Sequence, residues 1–229
     1  MNQNKNFLWA ATMGAFITVI TTIGIHALFD FSGDFNERLL LYKDPEYIFS
    51  KWWIIIHCLM VMFSMAGVFL VIGKNGFALI GFVGYCVFAV TEISRQMMVL
   101  FHLNGLRRAY LETSDEIVQK SIEWSMQHIG YTGLTMFGVF IFFFALGNLN
   151  YGIALWRHKG FTKLISVLLI VWGIKTLVIL GSELSGNTSL NSAIGIFNSA
   201  FQPVMRALIG IWLLRVLMNK PVGLIENTD

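Results

Sequence analysis

The chain has 229 residues, of which 56% are hydrophobic and only 13% are charged. Soluble domains carry about twice that share of charged residues, so the composition excludes an ordinary water-soluble protein. The net charge of +3 is small and is spread over short loops. Because nucleic-acid-binding proteins concentrate their cations on one face, that class is excluded as well.

Six apolar runs follow one another along the chain, and each has the length of a helix that crosses a hydrocarbon core of about 30 Å. The predicted spans are residues 7–29, 52–72, 77–103, 129–146, 161–184 and 190–217. The first run is too long for a secretory signal peptide and no small-residue cleavage motif ends it, so we expect it to stay as a helix. We therefore predict an all-α polytopic integral membrane protein, with residues 1–229 in one six-helix bundle.

The second and fourth helices are expected to begin outside the membrane. Asp44 followed by Pro45 is typical of an N-cap and the first helical position. Residues 113–116, Thr-Ser-Asp-Glu, have the pattern of a capping box. Both helices should then project beyond the surface on the side opposite to the N-terminus.

The loop charges favour N- and C-termini in the cytoplasm. The side that holds the N-terminus carries Lys5, Lys74, Arg157, Lys159, Lys163, Arg215 and Lys220. The opposite side has nearly as many cations, but they lie among almost all of the acidic residues. Since cytoplasmic loops are enriched in Lys and Arg near helix ends, we expect a multi-pass protein of the cell membrane, the inner membrane if the host is bacterial.

Four charged residues lie deep inside the predicted spans, namely Glu92, Arg95, Lys175 and Arg206. A charge at the centre of a membrane helix costs about 2.5 to 3.5 kcal/mol, so such residues serve a function or pair with one another. The first alternative is a ligand site that faces the bundle interior. The second is a set of interior ion pairs that fasten helices together, as in a structural or accessory subunit.

The spacing of the polar residues favours a shared interior. At about 100° per residue, Glu92, Arg95 and Gln96 fall on one face of the third helix, and Glu92 and Arg95 form an i, i+3 pair. Asn198, Gln202 and Arg206 form a polar stripe on the last helix. We expect an outward-facing polar cavity. Its candidate ligand-binding residues are Glu92, Arg95, Gln96, Lys175, Asn198, Gln202 and Arg206.

The excess of three interior cations over one carboxylate predicts an anionic ligand, such as a carboxylate, a phosphate or an anionic headgroup. The favoured function is a transporter or binding protein for a small anionic or amphipathic molecule, without a cofactor. An enzyme is not favoured, because the chain has no GxSxG, HExxH, P-loop or GxGxxG motif. The expected partners are the lipid bilayer and this ligand, and the sequence leaves the oligomeric state open.

Four histidines provide an alternative. His26, His57, His102 and His128 are expected at similar depth in the outer leaflet. Two of them facing each other across the bundle could ligate haem, with interior cations holding the propionates. A metal site made of these histidines is a variant of the same idea. The alternative function is therefore a haem- or metal-binding redox protein, although histidine near an interface also serves as an interhelical hydrogen-bonding group.

Overall fold

The computed structural model describes residues 2–27, 31, 33–186 and 191–219, and within these ranges the side chains of residues 2, 3, 191–198 and 219 are not described. The described chain is all helical and contains no strand. Its helices are α1 (Asn2–Ala27), α2 (Phe35–Leu40), α3 (Pro45–Ile72), α4 (Gly76–Met97), α5 (Asn104–Glu112), α6 (Glu116–Ala154), α7 (Gly160–Leu184) and α8 (Asn191–Asn219). The 3-10 turn Leu41–Lys43 follows α2, and the π-helical segment Met98–Leu103 joins α4 to α5.

Six helices are long and apolar enough to cross a membrane, with α4, the π-helical segment and α5 forming one continuous helix, Gly76–Glu112. The protein is a multi-pass, all-α membrane protein, as the sequence predicted. Since six crossings return the chain to the side where it started, the start of α1 and the end of α8 lie on one side. We call this the near side, and the opposite side the far side.

Two of the spanning helices are longer than the sequence predicted. The third continues past residue 103 to Glu112, and the fourth, whose start outside the membrane was predicted, continues past residue 146 to Ala154. With 39 residues, α6 is about 58 Å long, nearly twice the hydrocarbon thickness. The connection between α6 and α7 is therefore shorter than the gap between the predicted spans 129–146 and 161–184. Asn148 and Asn150 stay in the helix because their amides donate to the carbonyls of residues four positions earlier, at 2.9 and 2.8 Å.

Of the two N-terminal caps predicted on the far side, the cap of α3 is confirmed and the capping box of α6 is not. Asp44 is the N-cap of α3, and its carboxylate accepts hydrogen bonds from the backbone of Glu46 and Tyr47. The capping box at residues 113–116 was wrong, since the N-cap of α6 is Asp115, which accepts from the backbone of Ile117 and Val118. Asp115 takes the cap position because its carboxylate accepts hydrogen bonds from the amides two and three residues later.

The six spanning helices form a closed ring in the order α1, α3, α4, α6, α7, α8, so the first and last of them are neighbours. The most extensive contact joins α4 to α6. A Cβ atom on Gly84 would lie 3.0 Å from both the backbone nitrogen of Gly147 and the carbonyl oxygen of Phe143. Small residues allow such close backbone approach, which is a main source of attraction between helices in lipid.

We expect Gly84→Ala to lower the free energy of unfolding by about 1–3 kcal/mol, because the added methyl group forces the α4 and α6 backbones apart. Gly138→Ala is the matched control, since a Cβ at Gly138 meets no atom within 4 Å. Unfolding of both variants in detergent measures the difference. Equal stabilities would show that the α4–α6 contact does not depend on its glycine.

Candidate functional site

A buried chamber of about 330 Å³ lies inside the ring, and all six spanning helices contribute to its wall. Its charged and strongly polar lining residues are His26, His57, Glu92, Arg95, Lys175, Gln202 and Arg206. Phe88, Phe140 and Phe144 form an aromatic part of the same wall. Glu92 lies 16 residues into α4 from its near-side end, about 24 Å at 1.5 Å per residue, which places the chamber in the far half of the bundle.

Five of the seven candidate ligand-binding residues line this chamber. They are Glu92, Arg95, Lys175, Gln202 and Arg206. Gln96 is buried beside them but does not line the chamber, and its side chain donates to Glu92 instead. The side chain of Asn198 lies outside the described residues. The polar stripes of the third and last helices thus face the same space.

Glu92 and Arg95 form the ion pair that their spacing predicted. The guanidinium of Arg95 donates through Nε to one carboxylate oxygen at 2.8 Å and through Nη2 to the other at 2.6 Å. Gln96 Nε2 adds a third hydrogen bond to the carboxylate, at 2.6 Å. Glu92 is only 3% exposed. Its negative charge is therefore already neutralised by a group on its own helix and is not available to the other cations.

Arg206 has no such partner. It is 3% exposed, and its Nε and Nη1 atoms find no hydrogen-bond acceptor in the described part of the chain. Its guanidinium stacks near the rings of Trp172 and Phe144, at 4.9 and 5.7 Å from their centroids. Aromatic faces attract a cation, but they leave its N–H groups without acceptors.

The hydroxyl of Tyr85 lies beside the guanidinium of Arg206. This hydroxyl donates its proton to Asn148 Oδ1 at 2.8 Å, so it presents a lone pair to the arginine. The amide of Asn148 donates in turn to the carbonyl of Phe144. Neutral groups therefore orient Arg206, while no carboxylate of a described residue lies within ion-pair distance of it.

Two further cations, Lys51 and Arg107, lie toward the far side of the chamber and outside the predicted spans. Lys51 lies in α3, with Arg95, Arg107 and Glu92 as its charged neighbours, and its ammonium group sits 4.4 Å from the ring centroid of Tyr47. Arg107 is buried in α5 and donates to the Tyr47 hydroxyl at 3.2 Å. The early start of α3 at Pro45 was the signal that could have placed Lys51 inside a helix.

An apolar groove of about 350 Å³ adjoins the chamber between the π-helical segment and α6. Arg95 and Phe137 line both cavities, so their side chains form the wall between them. Toward the far side the groove shares Leu103, Met126 and Gly130 with a third cavity, of about 550 Å³. The three cavities therefore lie next to one another, from the far surface to the chamber. Irregular π-helical turns are frequent at functional sites, and this one borders the groove.

The four histidines are not gathered at one place. His26 and His57 line the chamber, and Nδ1 of His57 is 2.8 Å from the Thr21 hydroxyl. His102 and His128 are exposed and do not line it. Among the described residues no cluster of three or more His, Cys, Asp or Glu side chains could hold a metal ion. A pair of axial ligands would therefore have to be His26 and His57.

Known protein families, curated proteins and solved structures give no match to this chain. The chemistry of the site is therefore argued from its own geometry and charge. The chamber combines an internally neutralised pair, a buried cation without an acid and an aromatic wall.

We expect Arg95→Met to lower the free energy of unfolding by up to about 3 kcal/mol, because it leaves Glu92 in a buried site with Gln96 as its one remaining side-chain partner. Glu92→Gln together with Arg95→Met should restore most of the loss, since neither charge then remains buried. Chemical unfolding of the single and double variants in detergent provides the measurement. A double variant no more stable than Arg95→Met would contradict the pairing.

Proposed function

We propose that the protein binds a small anionic or amphipathic molecule in the chamber and acts as a transporter or membrane binding protein for it. The observation that carries this proposal is the buried guanidinium of Arg206 with two nitrogen atoms lacking acceptors. An unpaired charge in a low-dielectric interior is costly. A bound anion removes that cost by supplying both the charge and the acceptors.

The charges around the chamber support an anion rather than a cation. Arg95 and Glu92 neutralise each other, so Arg206 gives the wall a positive excess. Carboxylate and phosphate groups match a guanidinium through two parallel hydrogen bonds. Phe88, Phe140 and Phe144 provide apolar surface next to these donors. A molecule with an anionic group and a short apolar part fits both kinds of wall.

The series of cavities along α6 supports entry from the far side. The outermost cavity is lined by two arginines, Arg38 and Arg107, and by one acid, Glu123, and Lys51 lies close to Arg107. Positive charge along a cleft attracts anions and raises their local concentration. The groove itself is otherwise apolar, which favours a ligand that tolerates an apolar surface on its way to the chamber.

One observation favours a second candidate. His26 and His57 both line the chamber, as two axial ligands of a haem would, and the nearby cations would hold its propionates. The absorption spectrum of the purified protein separates the two functions, because a Soret band would support haem binding.

A purely structural role is supported less, since it needs interior charges that pair with one another, and Arg206 has no acid partner in the described chain.

Replacing Arg206 tests the proposed site directly. We expect decanoate and octyl phosphate to raise the melting temperature of the detergent-solubilised protein, while decanol has a smaller effect. Arg206→Gln should weaken the binding of both anions about tenfold or more, because charged hydrogen bonds to the ligand are lost. It should not destabilise the ligand-free protein.

Arg215→Gln is the matched control for this experiment, because Arg215 is an exposed arginine on the same helix outside the chamber. It should respond to the anions as the natural sequence does. Equal responses of the Arg206 and Arg215 variants would rule out the chamber as the anion site.

We also propose that the near side faces the cytoplasm. The described near-side segments carry Lys5, Lys74, Arg157, Lys159, Lys163 and Arg215. They contain no acidic residue, and the positive-inside bias favours this arrangement. A reporter active only in the cytoplasm should give signal when it follows residue 219 and none when it is inserted after residue 113. The reverse pattern would invert the proposed orientation and open the cavity series toward the cytoplasm.

A further inference from the structure

A large open cavity lies at the near-side ends of α4, α6 and α7, apart from the chamber. It has a volume of about 1000 Å³ and shares no lining residue with the chamber. Lys74 lines it from the turn before α4, and Arg157 lines it from the turn after α6. Both side chains are exposed, and neither forms an ion pair with a described residue. The lining residues include no carboxylate.

The remaining wall is mainly apolar and extends into the membrane. Phe77, Ile80 and Ile153 line it, with exposed fractions of 49, 48 and 43%. Ile170 continues the wall, ten residues after the start of α7 and therefore about 15 Å from the near-side surface. The cavity thus has cations at the depth of lipid headgroups and apolar side chains at the depth of acyl chains.

Trp156 forms a fixed rim between these two parts. Its carbonyl oxygen accepts a hydrogen bond of 2.7 Å from Nζ of Lys163. The same ammonium group lies 3.0 Å from the centroid of the indole ring. Tryptophan is enriched at the membrane interface, where its ring is half in water and half in lipid. The contact with Lys163 therefore holds the indole at the level where headgroup and acyl chain of a lipid meet.

We infer that this cavity binds an anionic phospholipid of the near leaflet, with its phosphate between Lys74 and Arg157 and an acyl chain along Phe77, Ile80 and Ile170. Basic pockets between spanning helices attract anionic headgroups. A zwitterionic lipid fits less well, because no carboxylate lines the cavity to receive its ammonium group. Free phosphate would leave the apolar wall unused. This inference does not depend on the function proposed for the chamber.

Native mass spectrometry of the full-length protein, titrated with phosphatidylglycerol or phosphatidylcholine in the same detergent, tests it. Phosphatidylglycerol should bind about tenfold more tightly or better. Lys74→Gln and Arg157→Gln should each weaken the binding of phosphatidylglycerol about fivefold. The double variant should bind the two lipids equally. Lys5→Gln is the matched control, because Lys5 is an exposed near-side cation that does not line the cavity.

Three results would overturn the inference. The first is equal affinity for the two lipids in the natural sequence. The second is a loss in Lys5→Gln as large as that in Lys74→Gln, which would show a diffuse surface charge instead of a site. The third is a pair of observations made with inorganic phosphate at millimolar concentration. Phosphate alone stabilises the protein against heat as much as phosphatidylglycerol does, and phosphatidylglycerol binding is undiminished in its presence. This result would show that the two cations hold free phosphate and that the lipid binds elsewhere.

Discussion

The absence of water in the hydrocarbon region is the constraint on which the rest of this structure depends. Backbone groups there must be satisfied within the chain, which is why the spanning segments are continuous helices. The hydroxyl side chains obey the same constraint. Thr12, Thr22 and Thr176 each donate to a carbonyl four residues earlier in their own helix. Such groups satisfy themselves locally and need neither a partner helix nor a ligand.

Arg206 differs from these residues because a guanidinium has five donors and no acceptor, too many for one helix to satisfy. Tyr85, Phe144 and Trp172 surround it, but together they provide one acceptor and two ring faces. The Glu92–Arg95 pair shows how this protein neutralises a buried charge when the charge is only structural. The contrast between the two arginines in the same chamber is what supports the proposed anion site at Arg206.

The sequence allowed the membrane class, the six spans and the Glu92–Arg95 pair to be predicted, because each depends on local composition or on helical spacing. The ends of α4 and α6 were not predictable in the same way. Asparagines such as Asn148 and Asn150 are typical of loops. Their side-chain hydrogen bonds to carbonyls of the same helix are visible only in the structure. Helical spacing also placed Gln96 on the same face as Glu92 without showing that it would bond to that carboxylate.

The histidines illustrate a further limit of sequence. The depth of a residue in the membrane can be counted from the ends of its helix, and by that count the four histidines lie at similar depth. The order of the helices around the ring decides which histidines face the same space. Helical spacing in the sequence does not show which helices are adjacent. The structure separates His26 and His57 from His102 and His128 on that ground. Lys51 was missed for a related reason, since its charged neighbours Arg95 and Arg107 belong to other helices.

The neighbourhood of α1 and α8 has a consequence for how the protein is made. The ring closes between the earliest and the latest spanning helices, so the chamber has no complete wall until α8 has been inserted. That helix is the least apolar of the six, and it brings Arg206 with it. An arginine near the middle of an isolated helix costs about 2.5–3.5 kcal/mol at the translocon. We therefore expect α8 to insert poorly on its own. The aromatic and hydroxyl groups of the five helices already in the bilayer would then receive Arg206 as α8 closes the bundle.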